Sequence, residues 1–186
     1  FSDVEEGLEH FYKHDLNAGL PPLDYDQYDF VLMLDVIEHL AQPEGFLEEL
    51  RHALSTNPKC EFIVSTANIG YIIPRMMLLI GQFNYGKRGI LDMTHMRLFT
   101  FASFEHCLEQ CGFEVRDMKA IPAPYPLALG DNGISRFLLW GNMLLTKISK
   151  GMFGYQIFAR VRPRPGVPYL LRAAFAESER RVQALT

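Results

Sequence analysis

The sequence predicts an α/β fold built on a parallel sheet. Three observations carry this reading: a near-continuous apolar strand from Tyr28 to Leu34, a helix of amphipathic spacing opening at Pro43, and a second apolar strand from Cys60 to Ser65. In succession they make a strand–helix–strand crossover, the unit from which parallel sheets are assembled. At 186 residues, 48% hydrophobic and 22% charged, the chain suffices for one domain with a sizeable core and an appendage.

The Tyr28–Leu34 run is broken only by Asp29, as expected of a strand buried on both faces, and it leads into Asp35. Pro43 suits a first helical turn, and Phe46, Leu47, Leu50 and Leu54 then recur at helical spacing toward a core. Asn57-Pro58 ends that helix and the strand Cys60–Ser65 follows. Thr100 or Ser103 is placed to cap the next helix, which turns Phe104, Leu108 and Cys111 inward and stops at Gly112, a left-handed position. Phe113–Lys119 resumes as strand. The last strand is Tyr155–Val161, with Gly154 before it and Pro163 and Pro165 closing it. Beyond a Pro/Gly linker, Tyr169–Leu185 reads as a charged helix carrying Leu171, Phe175, Val182 and Leu185, which divides the chain into a domain over 1–162 and a tail over 163–186.

A formal net charge of -4 and a pI near 5.9 give no general footprint for a polyanion, so no nucleic-acid partner is expected. Cys60, Cys107 and Cys111 show no paired spacing of a zinc site and read as reduced, buried thiols. The chain opens on Phe1, which reads as a cut, and carries no signal-peptide pattern. Its most apolar stretch, Ile69–Ile80, is interrupted by Gly70, Pro74 and Arg75 and is too short to span a bilayer. A cytoplasmic location is expected, with room for peripheral membrane contact.

Four motifs, in order, carry a family resemblance. Asp15-Leu16 follows a short strand-like Phe11-Tyr12-Lys13; Asp35-Val36-Ile37-Glu38-His39-Leu40 follows the buried strand; Ser65-Thr66-Ala67-Asn68 ends the second; and Asp92-Met93-Thr94-His95-Met96-Arg97-Leu98-Phe99-Thr100 precedes the helix that stops at Gly112-Phe113. The set resembles class I S-adenosylmethionine-dependent methyltransferases of a bacterial subgroup often fused to glycosyltransferases, and covers roughly residues 8 to 161. It implies a partial Rossmann-like doubly wound sheet, mostly parallel with an antiparallel last strand, plus a C-terminal helix leading toward a coiled coil or a fused glycosyltransferase. The resemblance also implies S-adenosylmethionine as cofactor, with Asp15 and Leu16 at its adenine and Asp35 and Val36 beside it. Two departures stand out. Ala67 occupies the place of a usual proline, and no Gly-x-Gly loop precedes Asp15, so these residues alone are expected to bind the cofactor poorly.

Asp35, Glu38 and His39 fall at i, i+3 and i+4, one face of a helical turn, and His95 lies in the last motif. Two carboxylates and two imidazoles together suit a divalent ion such as magnesium or manganese, and related O-methyltransferases use a similar arrangement with a metal. The alternative gives Asp35 to the cofactor, Glu38 to a helix cap, and His39 and His95 to hydrogen bonds in a substrate cleft. His39 or His95 is a candidate general base for an acceptor hydroxyl, or a bound metal lowers the pKa of that hydroxyl and makes the base unnecessary. Arg97 is read equally as an anion contact or an ion-pair partner.

The stretch containing Met76, Met77, Leu78, Leu79, Ile80, Phe83 and Tyr85 lies where a substrate cap belongs. Ile134–Lys150 sets Phe137, Leu138, Leu144, Leu145 and Ile148 among Arg136, Lys147 and Lys150, which suits an interfacial helix, although core packing of both stretches, Trp140 included, is the stronger expectation. The function expected is O-methylation of a hydroxyl on a sugar, glycan or lipid-linked small molecule; the rival is a methyltransferase-like module retained for interaction without catalysis.

Overall fold

A computed structural model describes residues 10–183. Its sheet contains β1 (Phe30–Leu34), β2 (Glu61–Ala67), β3 (Phe113–Ile121) and β4 (Gln156–Pro163), in the spatial order β1-β2-β4-β3. β1 pairs with β2 in parallel, and β4 runs antiparallel to both β2 and β3. Three strands thus share one direction, and the last in sequence is inserted against it, as expected.

The helix between the parallel strands, α1 (Pro43–Ala53), starts with proline, whose fixed φ and missing N–H cost nothing in a first turn. It buries Phe46, Leu47 and Leu50. Helix α2 (Ile72–Leu79) follows β2, and α3 (Phe101–Gln110) follows the Asp92–Thr100 segment. Thr100 and Ser103 both cap α3, each side chain serving the other's backbone N–H. Gly112, at φ +83°, then turns the chain into β3. Two helices, α4 (Tyr125–Leu129) and α5 (Gly133–Ile148), and the short α6 (Lys150–Phe153) connect β3 to β4, and α7 (Val167–Gln183) follows β4. Leu185 of the expected tail helix lies outside the described residues.

The core lies between one sheet face and helices α1 and α3: Met33, Phe62, Val64, Phe113, Ile157, Ala159 and Val161 from the strands meet Leu47, Leu50, Phe104 and Leu108. The opposite face corrects one expectation. β1 is not buried on both sides, because among the described residues it is an edge strand with Phe30, Leu32 and Leu34 all more than half exposed. A continuous apolar run reports what a strand is made of and leaves open what covers it. Cys60, Cys107 and Cys111 are free and buried, as expected; burial, with Asp29 and Glu61 nearby, holds the Cys60 thiol above its ordinary range.

Candidate functional site

In open α/β sheets ligands gather beyond the carboxyl ends of the strands. Here that end carries a crevice of about 280 Å³ lined by Asp35, Glu38 and His39 from the β1 side, Ala67 from β2, Gln156 from β4, and Asp92 and His95 from the loop before α3. Chain reversal at its mouth requires Asp35 to take φ +53°, a left-handed conformation that aspartate tolerates better than most side chains. Its carboxylate is fixed on both oxygens: Oδ1 accepts from Ser65 Oγ at 2.9 Å and Oδ2 from Gln156 Nε2 at 2.6 Å.

A 3-10 turn over Ile37–His39 follows, and its backbone binds the distant loop directly. Glu38 O accepts from Met96 N at 2.8 Å and from Arg97 N at 3.1 Å. The Glu38 side chain is 2% exposed. Oε1 accepts from Ala67 N at 3.3 Å, and Oε2 has no hydrogen-bond partner. The departure at Ala67 therefore has a structural use, since proline at that position would have no N–H to give.

The two imidazoles stand edge to face, ring centroids 4.8 Å apart. His39 Nδ1 lies 3.1 Å from Thr94 O and His95 Nδ1 lies 2.9 Å from Ile90 O. Because a carbonyl oxygen only accepts, both rings donate from Nδ1, which leaves each Nε2 outside these bonds. Asp92 faces both rings. Its Oδ1 accepts from Thr94 N at 2.8 Å and Thr94 Oγ1 at 2.7 Å, which with the nearby imidazoles holds the carboxyl below its usual range. Tyr155 closes the crevice beside Gly89, where an added Cβ would come within 3.3 Å of the Tyr155 hydroxyl. Burial, then the Asp35 charge, raises the Tyr155 pKa.

All four residues of the expected metal set, Asp35, Glu38, His39 and His95, thus line one crevice, yet they are not gathered as ligands. Among the described residues no three His, Cys, Asp or Glu groups stand at metal-binding spacing. The reason is local: Asp35 is held by Ser65 and Gln156, and Glu38 is drawn to Ala67. As placed here, the four do not form a metal-ligand set. Asp92, Arg88, Tyr155 and Gln156, which line the same crevice, were not among the site residues read from the sequence; the Asp-x-Thr-His spacing, an aspartate whose turn faces a histidine, was the available signal for Asp92. Arg97 is an ion-pair partner of Glu44 on α1.

The cofactor residues divide. Leu16 and Val36 meet in an apolar hollow of about 240 Å³ beside β1. Asp35 belongs to the adjoining crevice, and the Asp15 side chain caps its own turn by accepting from Asn17 N at 3.0 Å. The remaining histidines, His10, His14, His52 and His106, are exposed.

Comparisons with known proteins agree with this fold. A family model described as a methyltransferase domain matches residues 4–117, well over half of the chain. No protein of curated function matches the sequence. Among solved structures, the cyclase SpnF superposes with a TM-score of 0.50 at 16% identity, over 89% of this chain and 60% of its own. The YcgJ protein from Bacillus subtilis gives a TM-score of 0.50 at 12% identity, over 89% of this chain and 76% of its own. An S-adenosylmethionine-dependent methyltransferase from Thermotoga maritima gives 0.48 at 15% identity, over 78% and 60%. The chain spans about 60% of the length of several of these structures. At such identities the likeness concerns the fold; the match of the family model is what shows that this chain belongs to the methyltransferase domain family.

Proposed function

We propose that the crevice at the carboxyl ends of β1 and β2 is the site of methyl transfer to a hydroxyl, with His39 and His95 supplying the base. S-adenosylmethionine is the cofactor of this family, and when bound it supplies an electrophilic methyl group. Leu16 and Val36 would hold its adenine, with Asp35 at the border between hollow and crevice. The chain's own task is to orient the acceptor oxygen and take its proton. An imidazole with Nδ1–H committed to a carbonyl presents Nε2 as a proton acceptor in fixed orientation. Both histidines meet that condition in one crevice, and this observation carries the reading.

Glu38 adds a second contact. A buried carboxylate oxygen without a donor costs stability, and a hydroxyl from a bound acceptor would relieve it. A polar, multi-hydroxyl acceptor, as on a sugar, glycan or lipid-linked headgroup, suits this lining of acids and imidazoles. We assign residues 1–162 to this domain and 163–186 to a linker and helical tail.

The test is methyl transfer by the longest natural form of the protein, read by mass spectrometry on candidate hydroxyl acceptors. His39→Gln and His95→Gln should each lower kcat by about 100-fold, the ordinary contribution of a general base, with KM for the cofactor unchanged. Full activity in both variants would reject the crevice as the catalytic site.

A further inference from the structure

Helix α5 reverses the usual arrangement of an amphipathic helix. Its fully buried side chains are polar, Ser135 and Asn142, while Ile134, Phe137, Trp140 and Ile148 are between 58% and 78% exposed. Asn142 explains the attachment: Oδ1 accepts from Ala123 N at 2.9 Å and Nδ2 donates to Phe153 O at 3.0 Å. The helix is thus held to the body by hydrogen bonds and turns its apolar surface outward. Trp140 is correspondingly not packed in a core, contrary to the expectation from sequence. On α2 and just beyond it, Leu79 and Ile80 are as open as the side chains of α5, and Leu127 on α4 is 88% exposed.

Topology places these segments together. α2 follows the carboxyl end of β2, α4 and α5 follow the carboxyl end of β3, and α6 leads into the start of the antiparallel β4, so all stand at one end of the sheet. The Tyr71 and Tyr125 hydroxyls, 3.1 Å apart, and the Asn68–Gly151 hydrogen bond tie them to one another. This is also the crevice end. A neighbouring groove of about 270 Å³, lined by Tyr71, Ile73, Pro74 and Met77, shares Arg88 and Tyr155 with the crevice.

Charge identifies what covers this surface. Residues 69–91 and 121–155 hold six basic side chains, Arg75, Lys87, Arg88, Arg136, Lys147 and Lys150, and a single acid, Asp131, in a chain whose 22 acids outnumber its 18 bases. All six are exposed. We propose that this end of the molecule docks on the surface of an anionic phospholipid bilayer, with the exposed face of α5 among the upper acyl chains and the basic residues at the headgroups. A second copy of the chain is disfavoured, since a two-fold contact would set like charge against like. Insertion across the bilayer is also disfavoured, because 16 residues of helix reach about 24 Å against a hydrocarbon core of about 30 Å, and no helix among the described residues is long and apolar enough to span.

Trp140 is the lone tryptophan, so its fluorescence reports on α5 alone. The full chain, without methyl donor, is mixed with vesicles of phosphatidylcholine containing about one third phosphatidylserine. Co-sedimentation and a shift of Trp140 emission to shorter wavelength are expected, with binding at least about tenfold weaker to phosphatidylcholine alone and for Lys147→Glu/Lys150→Glu. Phe137→Ser/Ile148→Ser, at exposed positions that leave the Tm unchanged, should abolish both signals. No binding to anionic vesicles, or equal binding to neutral ones, overturns the proposal. So does a dimer by light scattering whose Trp140 emission is already shifted without lipid. None of these readouts involves methyl transfer, so failure here leaves the catalytic reading standing, and failure of that reading leaves this one.

Discussion

Asn68 is fully buried at the end of β2, and its one amide makes three hydrogen bonds, one within its own turn and two to the α6 segment. Its Oδ1 accepts from Gly70 N at 2.9 Å, and its Nδ2 donates to Gly151 O at 3.1 Å and Gly154 O at 2.7 Å. Asn68→Ala removes all three bonds and leaves the buried Gly70 N–H and Gly154 carbonyl without these partners. At about 1 kcal/mol net per bond, with a further penalty for each group left dry, the loss should be about 3–4 kcal/mol. For a chain of this size, about 3 °C per kcal/mol lowers Tm by about 10 °C. Urea unfolding followed by circular dichroism measures it, with an unchanged m-value showing that the same surface unfolds. Asn68→Asp, which keeps the acceptor and loses both donors, should be no more stable than the alanine variant. A loss below about 1 kcal/mol for Asn68→Ala would refute the reasoning, since water would then be replacing the amide at no cost.

Four further outcomes follow from the geometry. Gly112→Ala should cost about 1–2 kcal/mol in the same assay, because φ +83° disfavours a side chain and the new Cβ would clash with the Arg51 side chain. Ala67→Pro removes the N–H that Glu38 Oε1 accepts and leaves a buried carboxylate with no donor; a drop of about 1–3 kcal/mol is expected by urea unfolding, and an unchanged midpoint would count against that bond. Asp92 in the native state titrates below the 3.8 of a free aspartate, so its stabilisation is complete above that pH and is lost as pH falls through the native value. The difference in urea midpoint between wild type and Asp92→Asn should accordingly be larger at neutral pH than in acid; a difference constant with pH would show that the carboxylate is not held. Manganese affinity, measured by calorimetry, should be equal in wild type, His39→Ala and His95→Ala, and a tenfold loss in either variant would show that the four crevice residues close around an ion.

Local patterns proved legible where the signal and the structure are both local. Pro43, the Phe46–Leu50 spacing, the Thr100 cap and the Gly112 turn each act within one or two turns of chain, and each stands where periodicity and turn chemistry put it. The Asp35, Glu38, His39 and His95 group was legible as one crevice, because a motif after a parallel strand must face the sheet's carboxyl end. Their failure to gather as metal ligands was not, since it depends on Ser65, Gln156 and Ala67, residues far away in sequence that claim the carboxylates first. Phe30, Leu32, Leu34 and Trp140 escaped for a related reason. Hydrophobic spacing tells which side chains share a face, and only the surrounding chain decides whether that face is covered.

The placement of β4 between β2 and β3 sets the order in which this molecule can be completed. Every strand partner of β3 lies in a strand that leaves the ribosome only after 34 further residues, the 122–155 segment with its outward-facing apolar helix. Pairings that distant in sequence close late and slowly. A nascent chain arrested before Gln156 therefore holds β3 with both edges bare, and the edge that β4 takes is fully covered only when Pro163 is in place.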